Sequence, residues 1–380
     1  MSVKKKVKKD LVIIGAGASG LMFASMYPSL DFALLDANFR VGKKLIISGG
    51  GKCNITNKNI SIKNYYGEDE FILQVLKTFS PKELLGYFDT LEFQKRKQSQ
   101  YFCKTSAKDV VDFLLNKIDK KKIFLGCEVL DVSYKDEKFY ISSKSVDFEA
   151  KKVILASGGL SFKNLGASDI AYQVASKFGH SIATTKPALV GFTLQKDDFW
   201  MKKLSGVSLK VKIKVAHKEF YDDMLFTHRG ISGPVILNTS LYWEKGSIMI
   251  DFLPQTKLEL KHKQKQITSN LPLPKRFVKE FLLYLGLEDK KVQNLTKNEF
   301  EKLKKLKNYQ LSPAGNYGFK KAEVTKGGIK IDKIDPKTLQ SKLQKGLYFM
   351  GECLDVTGEL GGYNLHFAFS CAKRINLYKS

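Results

Sequence analysis

The chain has 380 residues, 43% of them apolar, which is enough to bury an extensive core; this excludes wholesale disorder and exceeds what one domain usually holds. Lys and Arg outnumber Asp and Glu by 64 to 38, a formal charge of +26. Such an excess points to a polyanionic partner if the cations cluster and to a lysine-favouring genome if they are scattered, and only Arg40, Arg96, Arg229, Arg276 and Arg374 are arginine. The start MSVKKKVKKD carries no apolar leader, and no apolar run reaches membrane-spanning length. The cysteines at 53, 103, 127, 353 and 371 form no CxxC or other metal spacing, so the expectation is reduced thiols, a cytoplasmic location, no membrane and no metal.

The first element is the apolar run Leu11, Val12, Ile13 and Ile14, too short and too β-branched for a helix, and therefore a strand buried on both faces of a parallel sheet. Gly15, Gly17 and Gly20 follow directly. The first permits a sharp turn, the second close approach of backbone to a pyrophosphate, and the third close packing of helix on strand, with the helix-start amides of Ala18 and Ser19 facing the phosphates. Pro28 ends the helix, Phe32 to Leu35 return as a second strand, and Asp36 closes it at the place where a ribose hydroxyl is held. Strand, glycine turn, helix and acid together predict a Rossmann-type dinucleotide site and an α/β fold.

The next stretch, ANFRVGKKLIISGGGKCNITN, keeps Lys44 and Gly49, Gly50 and Gly51 beside that site. Its SGGGKCNITN part, taken with the preceding GxGxxG, resembles the BaiN/RdsA family of FAD-dependent oxidoreductases, relatives of the two-dinucleotide-binding-domain flavoproteins. Lys52 stands where that family usually has arginine. The resemblance implies FAD as cofactor and makes Lys44, Ser48, Gly49, Gly50, Gly51, Cys53 and Asn54 candidate cofactor contacts.

Further along, FILQVLKTF and AKDVVDFLLNKI read as helices, with Ser80 and Pro81 as a helix start between them. Residues 126–150 alternate as a β-meander, expected as a small sheet over the main one, with Val129 where such flavoproteins meet the adenine. KKVILASGG then reads as another buried strand, and Ser157, Gly158 and Gly159 resemble the ATGG segment that closes over the cofactor. From 186 the pattern becomes period two in KPALVGFTL, SGVSLKVKIKVAHKEF and GSIMIDFLP, while TKLELKHKQKQITSNL, KRFVKEFLLYLGL and NEFEKLKKLK read as helices. LFTHRGISGPVIL (225–237) and AEVTKGGI (322–329) resemble the family's LFTHxGxSGP and VTxGGV segments. Finally GLYFMGECLDVTGELGGYNLHFAFSCAKRI resembles the last FAD motif, with Glu352 or Asp355 set for the ribityl hydroxyls and Gly361, Gly362, Tyr363 and Asn364 for the flavin. The expected domains are 1–188 with 336–380 as a discontinuous FAD-binding Rossmann-type domain, and 189–335 as an insert. The insert is read as a small β-barrel (189–255 and 308–335) carrying a helical piece (256–307).

Since FAD supplies the hydride chemistry, the chain must bind it, admit a substrate and deliver a proton. There is no second GxGxxG, so a separate NAD(P)H domain is not expected, and NAD(P)H is a transient reductant if it is used at all. Cys53 and His228 are the candidate proton donors and Thr227 a candidate substrate anchor; Cys53 has the ordinary alternative of a packed thiol and His228 that of a hydrogen-bonded structural group. Arg229 is either an anion holder or a solvated surface residue. His366 and Cys353 read as packing residues. The family resemblance implies reduction of an activated C=C bond, with uridine of 23S ribosomal RNA giving dihydrouridine as the favoured substrate. The alternatives are a steroid-like enone or other small-molecule substrate, and a non-catalytic FAD-containing RNA- or ribosome-binding protein. Residues 256–307 hold fourteen Lys and Arg against six Asp and Glu, the stretch expected to meet ribosomal RNA, with Lys261, Lys263, Lys265, Lys302, Lys304 and Lys305 at its centre.

Overall fold

The computed structural model describes residues 5–377, so the first four residues of the basic start lie outside the described part. The chain forms two compact units, one of residues 1–186 and 324–380 and one of residues 187–323. Residues 324–335, expected in the insert, belong to the first unit, because the strand Val324–Ile329 pairs with Ile182–Ala188.

The first unit is built on the strand Lys6–Ile14, whose apolar end, Leu11 to Ile14, is buried, as expected of an inner strand of a parallel sheet covered on both faces. It pairs in parallel with Phe32–Leu35 on one side and Asp147–Leu155 on the other, and Ile123–Phe124 extends the sheet beyond Phe32–Leu35. The meander does not form a separate sheet. Its third strand and the predicted KKVIL strand are one element, Asp147–Leu155, pairing antiparallel to Lys138–Ser143 near its start and parallel to Leu347–Phe349 near its end. The helix Ala18–Met26 packs against the C-terminal helix Tyr363–Arg374, and buried Phe23, Phe88 and Phe369 fill the core of this unit. The predicted helices appear as Asp69–Leu76, Pro81–Tyr87 and Ala107–Asn116; Ser80 and Glu83 form a reciprocal capping box at the start of the second.

The second unit contains a seven-stranded sheet with antiparallel pairing throughout, ordered from Tyr309–Leu311 through Ile248–Asp251, Ser208–Val215, Lys218–Thr227, Gly230–Ser232 and Phe192–Thr193 to Gly315–Asn316. Its two end strands are consecutive in sequence, separated by residues 312–314, a span of roughly 13 Å at most. The sheet therefore rolls round on itself. The helices Lys275–Tyr284 and Lys297–Leu303 form as expected, and Trp200, Phe277, Phe281 and Tyr309 make an aromatic core. TKLELKHKQK is not helical; helix begins only at Ile267–Asn270. Asn270 holds the Lys-rich loop in its place, accepting from His262 N–H and donating to the carbonyls of His262 and Gln266.

Candidate functional site

In the first glycine motif, two residues pack and one is left open. Gly15 has φ +112, and a Cβ there would lie 2.4 Å from the Ala156 carbonyl oxygen; at Gly20 it would lie 1.9 Å from the Gly15 oxygen. Gly17 has extended geometry and nothing within 4 Å of the place a Cβ would take. It starts a helix with no side-chain cap and no acid in its first turn, and the first helical bond runs from Leu21 N–H to Gly17 C=O. The amides of Ala18, Ser19 and Gly20 are thus available to an anion. Asp36 accepts from Ala16 N–H at 2.9 Å and from the backbone and side-chain N–H groups of Asn38, and a carboxylate has about four acceptor positions, leaving room for a ribose hydroxyl. Cys127 N–H bonds the Asp36 carbonyl, which brings the edge strand beginning at Val129 alongside.

The glycine-rich segment folds as the helix Lys43–Gly51, broken at Ser48, Gly49 and Gly50, where backbone angles leave the helical region. The break follows from composition, since Gly49, Gly50 and Gly51 all have left-handed φ. Gly50 and Gly51 face open space, as does Gly158. Ser48 turns its hydroxyl back to the Leu45 carbonyl. Lys52 uses its ammonium on the carbonyls of Lys104 and Thr105. Cys53 is fully buried at φ +51, and burial pushes its thiol up to about 12, with the Ser48 hydrogen bond opposing the shift.

Lys44 and Glu352, more than three hundred positions apart, meet at 2.6 Å. The other Glu352 oxygen accepts from Thr325 N–H, and a Cβ on Gly159 would lie 2.5 Å from the Thr325 hydroxyl and 2.8 Å from Glu352. The segments carrying Gly159, Lys44, Thr325 and Glu352 therefore converge. Asp355 is half-buried, and desolvation raises its carboxyl while Lys326 and Lys330 draw it back. Lys326 stacks over the Tyr66 ring at 3.8 Å. At the last motif a Cβ on Gly362 would strike the Thr56 carbonyl at 2.7 Å and the Asn54 side-chain oxygen at 2.8 Å. The helix Tyr363–Arg374 starts there without a side-chain cap. Tyr363 is buried against Tyr65, whose hydroxyl donates to its carbonyl. Asn364 commits both ends of its amide to Gly358, so it shapes the turn rather than reaching outward. His366 bonds Thr56 at 2.8 Å, and burial lowers its pKa to about 4, as suits a packing residue. Cys353 is buried, its thiol directed at the carbonyls of Leu155 and Met350.

Of the buried polar atoms without a partner, Ser157 Oγ and Asn54 Oδ1 belong to the segments described here, and the Tyr172 hydroxyl feels the charges of Glu352 and Asp355. Buried polar groups are ordinarily satisfied. With the open backbone at Gly17, Gly50, Gly51 and Gly158, they leave room and partners for a large polar group, and the donor set suits a dinucleotide such as FAD.

In the second unit, Thr227 accepts from Arg229 N–H and Gly230 N–H and bonds Tyr317 at 2.9 Å, so its hydroxyl closes the turn. His228 is exposed at the tip, and Arg229 lies over the Tyr317 ring at 5.0 Å. Sequence reasoning missed Asn57, Thr325 and Tyr172. Asn57 and Thr325 lay inside quoted motifs and were findable as polar residues in glycine-rich segments; Tyr172, on an ordinary amphipathic helix, gave no signal. No described helix is long and apolar enough to cross a membrane, and no described group of three or more His, Cys, Asp or Glu is placed to hold a metal.

Residues 9–376 match the family described as HI0933-like protein Rossmann domain. A protein of Haemophilus influenzae named ribosomal RNA dihydrouridine synthase is 35% identical, covering 95% of this chain and 96% of that one. Its namesake in Escherichia coli K12 is 33% identical, with 96% of each covered. A 3-dehydro-bile acid delta(4,6)-reductase of Clostridium scindens is 31% identical, covering 94% and 96%. With the glycine turn, the SGGGKCNITN segment and the GGYN helix start all in place, the chain belongs to the HI0933-like, or BaiN/RdsA, family.

Proposed function

We propose that the chain is an FAD-dependent reductase of an activated C=C bond and that its substrate is uridine in 23S ribosomal RNA, which it converts to dihydrouridine. The observation that carries this reading is the combination of open glycine backbone and unpartnered Ser157, Asn54 and Tyr172 atoms in a chain 35% identical to a protein named for that activity. When bound, FAD supplies the hydride that reaches uracil C6. In this reading the amides of Ala18, Ser19 and Gly20 hold the pyrophosphate, Asp36 the adenosine ribose, and Glu352, oriented by Lys44 and Thr325 N–H, the ribityl chain. In the same reading the uncapped helix start at Tyr363 would face the flavin ring and favour negative charge on its reduced form.

The proton for uracil C5 comes from His228 in this reading, because its imidazole is solvent-accessible on the LFTHRG turn and can donate a ring proton. Cys53 is the alternative, but a thiol held protonated to about 12 in a fully buried place makes a slow donor. Of the six central lysines, Lys261 pairs with Glu259 and Lys304 with Glu301, Lys305 lies over Tyr284, and Lys263, Lys265 and Lys302 are exposed with no ion pair among the described residues. A cytoplasmic location and NAD(P)H as reductant complete the proposal. The bile-acid reductase relative favours a second reading, a steroid-like enone substrate. Nucleoside mass spectrometry of 23S RNA from a deletion strain separates the two: loss of dihydrouridine supports the RNA substrate, and an unchanged content rejects it.

A further inference from the structure

The hairpin formed by Phe93–Lys95 and Gln100–Cys103 carries at its tip Lys95, Arg96, Lys97 and Gln98, all exposed, and the half-buried Ser99. None of the three cations forms an ion pair among the described residues, although Glu92 and Lys104 pair lower on the same hairpin at 2.6 Å. Arg96 lies over the Phe102 ring at 4.7 Å, and its guanidinium N–H groups make no hydrogen bond among the described residues, so they are available to a ligand. Elsewhere, Arg276 and Arg374 give their N–H groups to backbone carbonyls. In a chain that otherwise relies on lysine, a stacked arginine with free edges suits fork-like recognition of phosphate.

The tip is also strained and fastened. Gln98 and Ser99 have φ of 55° and 62°, a left-handed region that is unfavourable for non-glycine residues and persists only when the surroundings enforce it. Here they do. Asn57 donates one amide to both the Gln98 and the Gly361 carbonyls, Lys58 N–H bonds the Ser99 carbonyl, and Arg96 N–H bonds the Gln100 carbonyl at 2.8 Å. Asn54 bonds Gln100 at 2.6 Å. Asn54 and Asn57 belong to the SGGGKCNITN motif, and Gly361 to the final one. The cationic tip is thus fixed rigidly to the two segments that converge on the cofactor site.

We propose that Lys95, Arg96 and Lys97 grip consecutive phosphates of an RNA strand and so present its base to the cofactor site. This rests on the RNA reading given above. Rigidity matters because a preformed cation row loses little side-chain and backbone freedom on binding. A small neutral enone has no use for such a row.

The test uses FAD-loaded protein and a fluorescein-labelled, uridine-containing RNA hairpin, with anisotropy measured across a KCl series. Reversing all three charges (K95E/R96E/K97E) should weaken binding at least roughly tenfold at low salt and flatten the plot of log K against log salt by about 2, from about 0.7 per lost phosphate contact. FAD content and the thermal midpoint should stay as in the parent, since the three side chains are exposed. R96K should lose part of the affinity, because an ammonium neither stacks flat nor presents a fork. If the parent binds RNA and the triple variant binds equally well with the same slope, the hairpin proposal falls while the RNA reading stands. If the parent shows no salt-dependent RNA binding, both fall.

Discussion

Gly17 offers the sharpest test of the cofactor site, because its neighbours in the motif fail for a different reason. At φ −85 it is accessible to any L residue, and nothing lies within 4 Å of a Cβ built there. Gly17→Val should therefore fold, with a loss of stability of no more than about 1 kcal/mol at a helix N-cap that is already uncapped. The added methyls would instead occupy the space in front of the helix-start amides, where the pyrophosphate is proposed to sit. Free FAD at a hundredfold above its Kd stabilises a protein that binds it by about 2.7 kcal/mol, a rise of roughly 5–10 °C for a domain of this size. The assay is a thermal melt of cofactor-stripped protein with and without added FAD, beside the visible spectrum of the purified protein. The parent should show the rise and a yellow colour; Gly17→Val should melt near the stripped parent and respond to FAD by less than a degree or so. Gly20→Ala is the contrast, since its Cβ would lie 1.9 Å from the Gly15 carbonyl oxygen and should cost more than about 4 kcal/mol, seen as insoluble protein. A Gly17→Val protein that stays yellow and keeps the thermal rise would refute the assignment of this turn to the phosphates.

His366 is held below its ordinary value of 6.5, at about 4, by burial, so protonation opposes folding: its contribution is complete above pH 6.5 and is lost as pH falls towards 4, up to about 3 kcal/mol. His366→Gln should flatten that part of a stability-versus-pH curve measured by urea melts; an unchanged slope would show that another group governs it. Cys53→Ala should leave the pH–rate profile unaltered while His228→Gln lowers turnover roughly a hundredfold or more with FAD content intact, and the opposite pattern would move the acid to Cys53. Asn57→Ala leaves the Gln98 and Gly361 carbonyls without their donor, and a loss of about 2–3 kcal/mol in urea melts is expected. A loss below about 0.5 kcal/mol would mean water replaces the amide.

The Rossmann unit was readable because several weak signals coincide within one short stretch: a β-branched run, glycines at fixed spacing, and Asp36 where the second strand must end. Each glycine also has the physical role expected of it, with Gly15 and Gly20 packed against backbone and Gly17 open. The Lys-rich segment was misread because Leu258 and Leu260 among lysines resemble a solvated helix, and a polar segment has no period strong enough to separate helix from loop. What settles it is Asn270, whose four backbone bonds hold the loop from a distance that no local pattern reveals. The boundary at 324 was missed for a related reason: Val324–Ile329, with Gly327 and Gly328 in it, has no period that ties it to either unit, and only its partner strand assigns it to the first. Pairings such as Lys44 with Glu352 are invisible to spacing, since nothing local in either motif names the other.

The strand Asp147–Leu155, with neighbours on both sides and a third at its end, gives the protein an order of assembly. Leu347–Phe349 is made only after the whole of residues 187–323 has been synthesised. The second unit is complete in sequence by then and, with its own sheet and aromatic core, has what it needs to fold first. The first unit meanwhile waits with the end of Asp147–Leu155 lacking its last parallel partner, an open edge of the kind that invites mispairing. Glu352, Gly361 and the final helix arrive in the same closing step. A chain stopped before Leu347 would lack the strand that covers this edge and the last FAD-type motif together, so exposure to aggregation and loss of the cofactor site have one cause.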